Sequence, residues 1–450
     1  MRPYFPRSAA PHGSVCRSPR QMVTKHGQGR RELLVNALGR LFSSRLALSL
    51  DSISDGHGNP DVIKSRYRMK LAYVTTYDPL DVHAWSGLGM NIKTALEHAN
   101  IQIECIGNLR DDLRLFYALK RLYLTRVRKL AYFREREITV AKSYARQVEV
   151  ALEHTTADVV FSPGTTPIAY LRTKKPIVFW TDATFAGMVD FYPEWTNLHP
   201  QTRLNGNNME QAALSRCRLA IYSSDWAART AIENYEVDPA KVHVVPFGAN
   251  IQENVSISAV LADVSRREIS PCKLLFVGVD WKRKGGDYAV QVAQELRSRG
   301  LDAELEVVGC IPPAGLPSFV TSHGFLSKND KGQRDMLYRL YRQSHFFILP
   351  SRAECAAVVL AEANAFGLPV VATDVGGITT IVNGKNGRSF SPSNFVKECV
   401  EFILQTYSPR STYEQLCLSS FEEYRTRLNW DVAGKAVAKL ITGCGLAPEI

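Results

Sequence analysis

LPSRAECAAVVLAEANAFGLPVVATDVGG, residues 349–377, decides the fold. His345–Ser351 reads as a buried strand, Arg352, Ala353 and Glu354 as the loop at its carboxyl end, and Ala356–Phe366 as a helix that stops at Gly367 with Pro369 just beyond. A second apolar strand, Pro369–Val375, then delivers Gly376-Gly377 to the same edge. Strands that are apolar throughout and alternate with helices belong to a parallel sheet covered on both faces. Ligands of such sheets bind beyond the carboxyl ends of the strands. There the start of the helix, with Ala357 and Val358, offers backbone N–H groups and the positive end of a dipole to an anion such as a sugar-nucleotide diphosphate. Glu354 sits in the loop, where it can accept from sugar hydroxyls; Glu362, eight positions on, can accept from ribose hydroxyls. The Glu-x7-Glu spacing alone carries little, and the strand–loop–helix setting gives it weight. Gly376 and Gly377 are expected to let the backbone approach a ligand closely.

Working outward, the same pattern recurs. Lys273–Val279, Leu305–Cys310, His345–Ser351 and Pro369–Val375 form one set of strands. Lys70–Thr76, Ile101–Gly107, Asp158–Gly164, Pro176–Asp182, Leu219–Asp225 and His243–Gly248 form an earlier one, and Asn250–Pro271 reads as a polar, irregular linker between them. The fold class is therefore α/β, with two Rossmann-like doubly wound parallel-sheet domains facing each other across a cleft. The first spans residues 67–254 and the second 255–428, and residues 429–450 form a helix that crosses back to the first.

The chain has 450 residues, a length that suits two domains. No apolar run is long enough to span a membrane. Nine scattered cysteines without a CxxC pair argue against a zinc site and suit a reducing, cytoplasmic setting. The net charge of +11 is localised. Residues 1–66 carry eleven Lys and Arg against four Asp and Glu, residues 110–146 carry the same balance, and the remainder is net acidic. This excludes a uniformly basic nucleic-acid-binding surface, and no nucleic-acid partner is expected. Residues 1–66 read as a basic tail without a catalytic role or as an over-long start, with organellar targeting by residues 1–50 as the competing reading.

Two further motifs bear on chemistry. In LLFVGVDWKRKGG, 274–286, Lys282, Arg283 and Lys284 cluster beside Gly285-Gly286 at a strand end, a combination suited to a diphosphate. In WSGLGMN, 85–91, Gly87 and Gly89 form a Gly-x-Gly after the first strand, weak evidence by itself. Asp182 ends a strand of the first domain, where it either caps a helix or faces an acceptor and takes its proton. The stretch 113–134 mixes aromatic and basic residues at helical spacing. Its first reading is a helix that buries its Leu and Tyr against the sheet and exposes its Arg. The competing reading is a peripheral contact with an anionic membrane surface.

Residues 349–377, supported by 274–286 and 85–91, resemble the GT4 family of retaining glycosyltransferases of GT-B fold, in its Asp-Trp-x-Arg-Lys-Gly-Gly variant group. The resemblance extends from about Lys70 to Trp430. It implies that Glu354 contacts the donor sugar, Glu362 the ribose and Lys284 the diphosphate, and that Gly87 and Gly89 approach the donor phosphate or the acceptor. It implies a nucleotide-sugar donor used as substrate, an acceptor hydroxyl, retention at the anomeric carbon, and neither cofactor nor metal. Three departures stand out. Ala357 replaces a frequent Gly. Val279 stands where an Arg is usual, so that Arg283 or Lys282 is expected to substitute. Thr181-Asp182 stands near a common His. The competing functions are a sugar-nucleotide epimerase of similar shape and a non-catalytic nucleotide-sugar or nucleic-acid binding protein.

Overall fold

A computed structural model describes residues 68–446, Asp112 excepted; the readings of residues 1–66 lie outside the described residues. Strands β1 (Lys70–Val74), β2 (Gln102–Ile106), β3 (Val159–Ser162), β4 (Ile177–Thr181), β5 (Leu219–Tyr222) and β6 (Val242–Val244) form one sheet in the order β2-β1-β3-β4-β5-β6. Strands β7 (Cys272–Val277), β8 (Ala303–Val308), β9 (Val320–Ser322), β10 (Phe346–Leu349), β11 (Val370–Thr373) and β12 (Gly387–Phe390) form a second, in the order β12-β11-β10-β7-β8-β9. Every pairing is parallel. In β3, β4, β5, β10 and β11 every residue is buried, which is why these strands read as unbroken apolar runs. The sheet-edge strands β9 and β12 escape sequence reading because Val-Thr-Ser and Gly-Arg-Ser-Phe are short and half polar.

The strand orders reverse at two places, between β1 and β3 and between β10 and β7. At a reversal the connections leave in opposite directions and open a crevice at the carboxyl edge. Trp85, Gly87 and Gly164 follow strands flanking the first crevice, and Lys284 and Glu354 follow strands flanking the second.

The stretch 250–271 departs from the irregular linker expected of it. Ser256 accepts from the Ala259 N–H at 3.2 Å and caps a helix, Ile257–Arg266. Val260 and Val264 of that helix enter the second core. Its signal stands in the sequence, Ile257, Val260, Leu261 and Val264 at i, i+3, i+4 and i+7 behind Ser256, flanked by polar residues on both sides. The chain passes between the domains at Ala249 and again at Leu428, and the two passages are hydrogen-bonded, Ala249 N–H to the Leu428 carbonyl at 2.9 Å. Asn250 Oδ1 accepts from both Asn91 Nδ2 and Trp430 Nε1 at 2.9 Å, joining three segments at this crossing.

The helix Trp430–Gly443 lies on the helix Leu88–His98 of the first domain, adding Ala433, Val437 and Ile441 to a core with Leu88, Ile92 and Leu96. Gly434 makes this approach feasible, since a Cβ there would lie 2.2 Å from the Ala95 carbonyl oxygen. The helix Arg114–Arg126 corrects the first reading of 113–134. Tyr117 and Leu124 are buried, whereas Leu115, Phe116, Leu119 and Leu122 are exposed, Leu115 by 83%. The helix is anchored at one side by a Tyr117–Thr139 hydroxyl contact and a Lys120–Glu137 ion pair, and its apolar face turns away from the sheet.

Gly434→Val is expected to lower unfolding free energy by about 1–3 kcal/mol, the usual cost of overpacking a close helix contact, read as a lower denaturation midpoint with unchanged far-ultraviolet circular dichroism.

Candidate functional site

The group around Glu354 assembles at the reversal between β7 and β10. Asp280 accepts from the Arg283 N–H at 2.9 Å and starts the one-turn helix Trp281–Lys284. Gly285 ends it with φ at +78°, where a Cβ would lie 2.0 Å from the Pro350 carbonyl oxygen. This turn buries Lys284 and sets its ammonium on the Glu354 carboxylate. Arg283 Nη1 lies 3.6 Å from the same carboxylate and donates to the Ala353 carbonyl at 3.1 Å. Lys282 is exposed and Val279 is 67% exposed. Of the two cations weighed as a substitute at Val279, it is therefore Arg283 that faces the Glu354 loop.

Gly376 and Gly377 have a structural role beside the one expected of them. A Cβ at Gly376 would meet the Glu354 carbonyl oxygen at 2.0 Å, and one at Gly377 the Cys355 carbonyl oxygen at 1.8 Å. The Gly377 N–H donates to the Glu354 carbonyl at 3.0 Å. The bare backbone is needed by the neighbouring loop, which it pins in place.

Ala357 and Val358 bring the chain into the helix Val358–Ala365, two residues later than expected. No side chain caps its first turn, so its leading amides point from the loop that carries Glu354. At the other end, buried Arg267 donates to the carbonyls of Phe366 and Gly367, both at 3.1 Å, and complements the negative end of the helix. Glu362, inside the helix and buried, pairs with Lys328 and accepts from Tyr341 Oη at 3.1 Å. Glu354 and Glu362 thus lie on one helix-and-loop unit, each already matched to a cation.

The first domain presses on this unit. Tyr192 Oη accepts from the Cys355 N–H at 3.1 Å, and the Arg283 guanidinium lies 5.2 Å from the Tyr192 ring centre. Thr380 Oγ1 accepts from the Asp225 N–H at 2.9 Å and donates to Asp225 Oδ2 at 2.8 Å.

Opposite, at the reversal between β1 and β3, lies a cavity of about 440 Å³. Trp85, Asp182, Arg136, Glu210 and Trp195 are among its walls, and Met188, whose sulfur lies 3.3 Å from Cys355 Sγ, marks the end nearest the Glu354 loop. Asp182 does not cap the next helix; Thr184 does, accepting from the Gly187 N–H. Removal from water above all, with the negative charge of Glu354 adding to it, raises the Asp182 carboxyl to about 6 against the opposing hydrogen bonds from its own backbone and from Trp85. Trp85, Ser86 and Gly87 all take positive φ, 47°, 56° and 79°, a turn that presents the indole to Asp182. Gly89 is used internally: a Cβ there would lie 2.3 Å from Tyr77 Oη.

Arg136, Glu210, Trp195, Lys328 and Tyr192 were not singled out by sequence reading. They occur at no recognisable spacing, and Arg136 is hidden within the charge excess of 110–146. Burial and convergence from separate elements distinguish them, and neither is visible in one dimension.

A family model described as Glycosyltransferase Family 4 matches residues 90–253, and one described as Glycosyl transferases group 1 matches 271–408. The D-inositol 3-phosphate glycosyltransferase of Corynebacterium jeikeium is 26% identical over 253 residues, 51% of this chain and 58% of the relative. That of Acidothermus cellulolyticus is 31% identical over 206 residues, 42% of this chain and 45% of the relative. The chain spans about half the length of these curated relatives. Sucrose-phosphate synthase of Thermosynechococcus elongatus superposes with a TM-score of 0.59 at 15% identity, covering 84% of this chain and 99% of that one. HepE of Anabaena, solved with UDP and glucose, gives 0.56 at 15%, covering 83% and 100%. At such identities the likeness is one of fold.

The Asp182 carboxyl should titrate near pH 6 in carbon-detected NMR of labelled protein. Trp85→Phe removes a donor to the charged form and should move the midpoint upward. Because the native value exceeds the ordinary one of 3.8, this group's contribution to stability is lost as pH rises from about 4 to 6, and Asp182→Asn should remove that part of the slope.

Proposed function

We propose that this chain, a member of glycosyltransferase family 4 with the GT-B fold, moves a sugar from a nucleotide-diphosphate sugar to an acceptor hydroxyl. The observation that carries the reading is the convergence of Glu354, Lys284, Arg283 and an uncapped helix start at one strand-order reversal, facing the Asp182 cavity of the other domain. Both matching family models describe glycosyl transferases, and neither the epimerase nor the non-catalytic reading is supported.

In this proposal the diphosphate lies on Lys284, Arg283 and the amides at Ala357 and Val358. As the bond from the anomeric carbon to phosphate breaks, the leaving diphosphate keeps the electron pair, and these fixed positive groups stabilise the growing charge. Glu354 accepts from the donor sugar's hydroxyls. Glu362 accepts from the ribose; a carboxylate has about four lone-pair sites, so its bonds to Lys328 and Tyr341 leave capacity. The acceptor oxygen forms the new bond to the anomeric carbon while its proton passes to the Asp182 carboxylate, whose raised value suits a base working near neutrality. We assign the reaction a retaining course without a metal ion, in line with the family resemblance and with the cations provided by the protein; the anomeric configuration of the product and turnover in chelator check the two points.

Glu354→Ala is expected to abolish sugar transfer in a folded protein, followed as nucleotide release across a panel of nucleotide sugars with and without cell extract. Full activity in the folded variant would remove the site assignment.

A second observation bears on the setting. Leu115, Phe116, Leu119 and Leu122 are exposed on the helix Arg114–Arg126, bordered by exposed Arg114, Arg121, Arg126 and Arg128. We assign this face to the surface of an anionic bilayer, where the apolar side chains enter the interface and the arginines meet lipid phosphates. No described helix is long and apolar enough to cross a membrane. The chain should co-sediment with phosphatidylglycerol vesicles far more than with phosphatidylcholine vesicles, and Leu115→Asp with Phe116→Asp should lower the bound fraction at least fivefold. Equal binding to both vesicle types would contradict the assignment.

A further inference from the structure

We infer that the first-domain cavity accepts an uncharged polyhydroxylated ring, a sugar or cyclitol without a phosphate on the part that enters. The inference rests on the proposed sugar transfer and concerns the acceptor half of that site.

The charge on the cavity wall decides it. Three carboxylates, Glu135, Asp182 and Glu210, line the cavity with a single cation, Arg136. Its guanidinium carbon lies 5.1 Å from the Phe185 ring centre and 5.9 Å from that of Trp195, and its charge acts on Glu210. A bound phosphate carries up to two negative charges and needs a surplus of cationic or N–H donors; among the described lining residues the balance runs the other way. Burial raises the Asp182 and Glu210 carboxyls, Asp182 to about 6, and above that pH the wall carboxylates repel such a group in a partly desolvated cavity.

The same wall fits a neutral polyol. Glu210 accepts from Thr165 Oγ1 at 2.7 Å through one oxygen, while its other oxygen, Arg136 Nε and Nη1 and Tyr77 Oη have no hydrogen-bond partner. Unsatisfied buried polar groups are costly, and a small shift on binding would give them hydroxyls that both donate and accept. Trp85 and Trp195 supply aromatic surface for the C–H face of a ring. The volume of about 440 Å³ lies within the range of small-molecule sites. The cavity reaches from Glu210, deep in the first domain, to Asp182 and Met188 at the donor loop, so a ring held inside presents a hydroxyl where Asp182 can receive its proton.

The test uses matched pairs, glucose with glucose 6-phosphate and myo-inositol with myo-inositol monophosphate, titrated into the full chain and followed by tryptophan fluorescence and saturation-transfer NMR. UDP, GDP and ADP are titrated separately to report the donor half. The expected result is at least tenfold tighter binding of a neutral member than of its phosphate, with Trp195→Ala weakening the neutral ligand at least fivefold and leaving nucleotide affinity unchanged. Equal or tighter binding of the phosphates, no binding of any neutral member, or a neutral affinity unchanged in Trp195→Ala overturns the inference while the nucleotide result leaves the donor half standing. Failure of all three nucleotides to bind overturns the donor reading and this inference with it.

Discussion

A carboxylate taken out of water needs a cation, and the strand-order reversal of the second domain is organised around meeting that need at Glu354. The Lys284 ammonium rests on it and the Arg283 guanidinium stands beside it. Removing one partner of such a pair leaves an uncompensated charge worth several kcal/mol. The surrounding backbone is committed to this geometry. Gly285 turns the cation-bearing segment under Pro350, and Gly376 and Gly377 lie flat against the carbonyls of Glu354 and Cys355. None of these contacts tolerates a side chain. Cations and carboxylate are therefore held in place, and in the proposed reaction a diphosphate at the uncapped helix start would meet positive groups whose ordering is already complete.

The two halves of the site divide the charge. On the donor side Lys284, Arg283, Lys328 and a helix start face two carboxylates. Across the cleft, Asp182, Glu210 and Glu135 face one arginine. This asymmetry matches the proposed reaction, in which negative charge grows on the leaving diphosphate and a proton leaves the acceptor. The halves are not independent: the charge of Glu354 contributes to the raised Asp182 carboxyl, and Tyr192 binds the Cys355 amide. The passages at Ala249 and Leu428 are hydrogen-bonded to each other, and Asn250 beside them accepts from Asn91 and Trp430.

Much of the fold was legible because strands buried on both faces must be apolar throughout, and β3, β4, β5, β10 and β11 are. The edge strands β9 and β12 gave no such signal, whereas the Ser256-capped helix carried one in Ile257, Val260, Leu261 and Val264, masked by the polar residues on either side. The site was legible in part. Glu354, Glu362 and Lys284 stand at motif spacing, and the structure brings Lys284 to Glu354. The reason for Gly376 and Gly377 was not legible, because the carbonyls they accommodate lie 22 residues earlier in the chain. The apolar face of Arg114–Arg126 was misread as core-facing: helical spacing shows that a face exists and not which way it turns. Arg136 and Glu210 converge from segments more than 70 residues apart, and no spacing rule marks them.

A nucleotide diphosphate seated between Lys284, Glu354 and the start of the helix Val358–Ala365 should shield the backbone on both sides of it. In amide hydrogen exchange of the full chain, with and without saturating UDP, GDP or ADP, at least one nucleotide is expected to slow exchange in two separate stretches, 278–286 and 352–362. Protection confined to other segments, or absent with all three nucleotides, would contradict that placement.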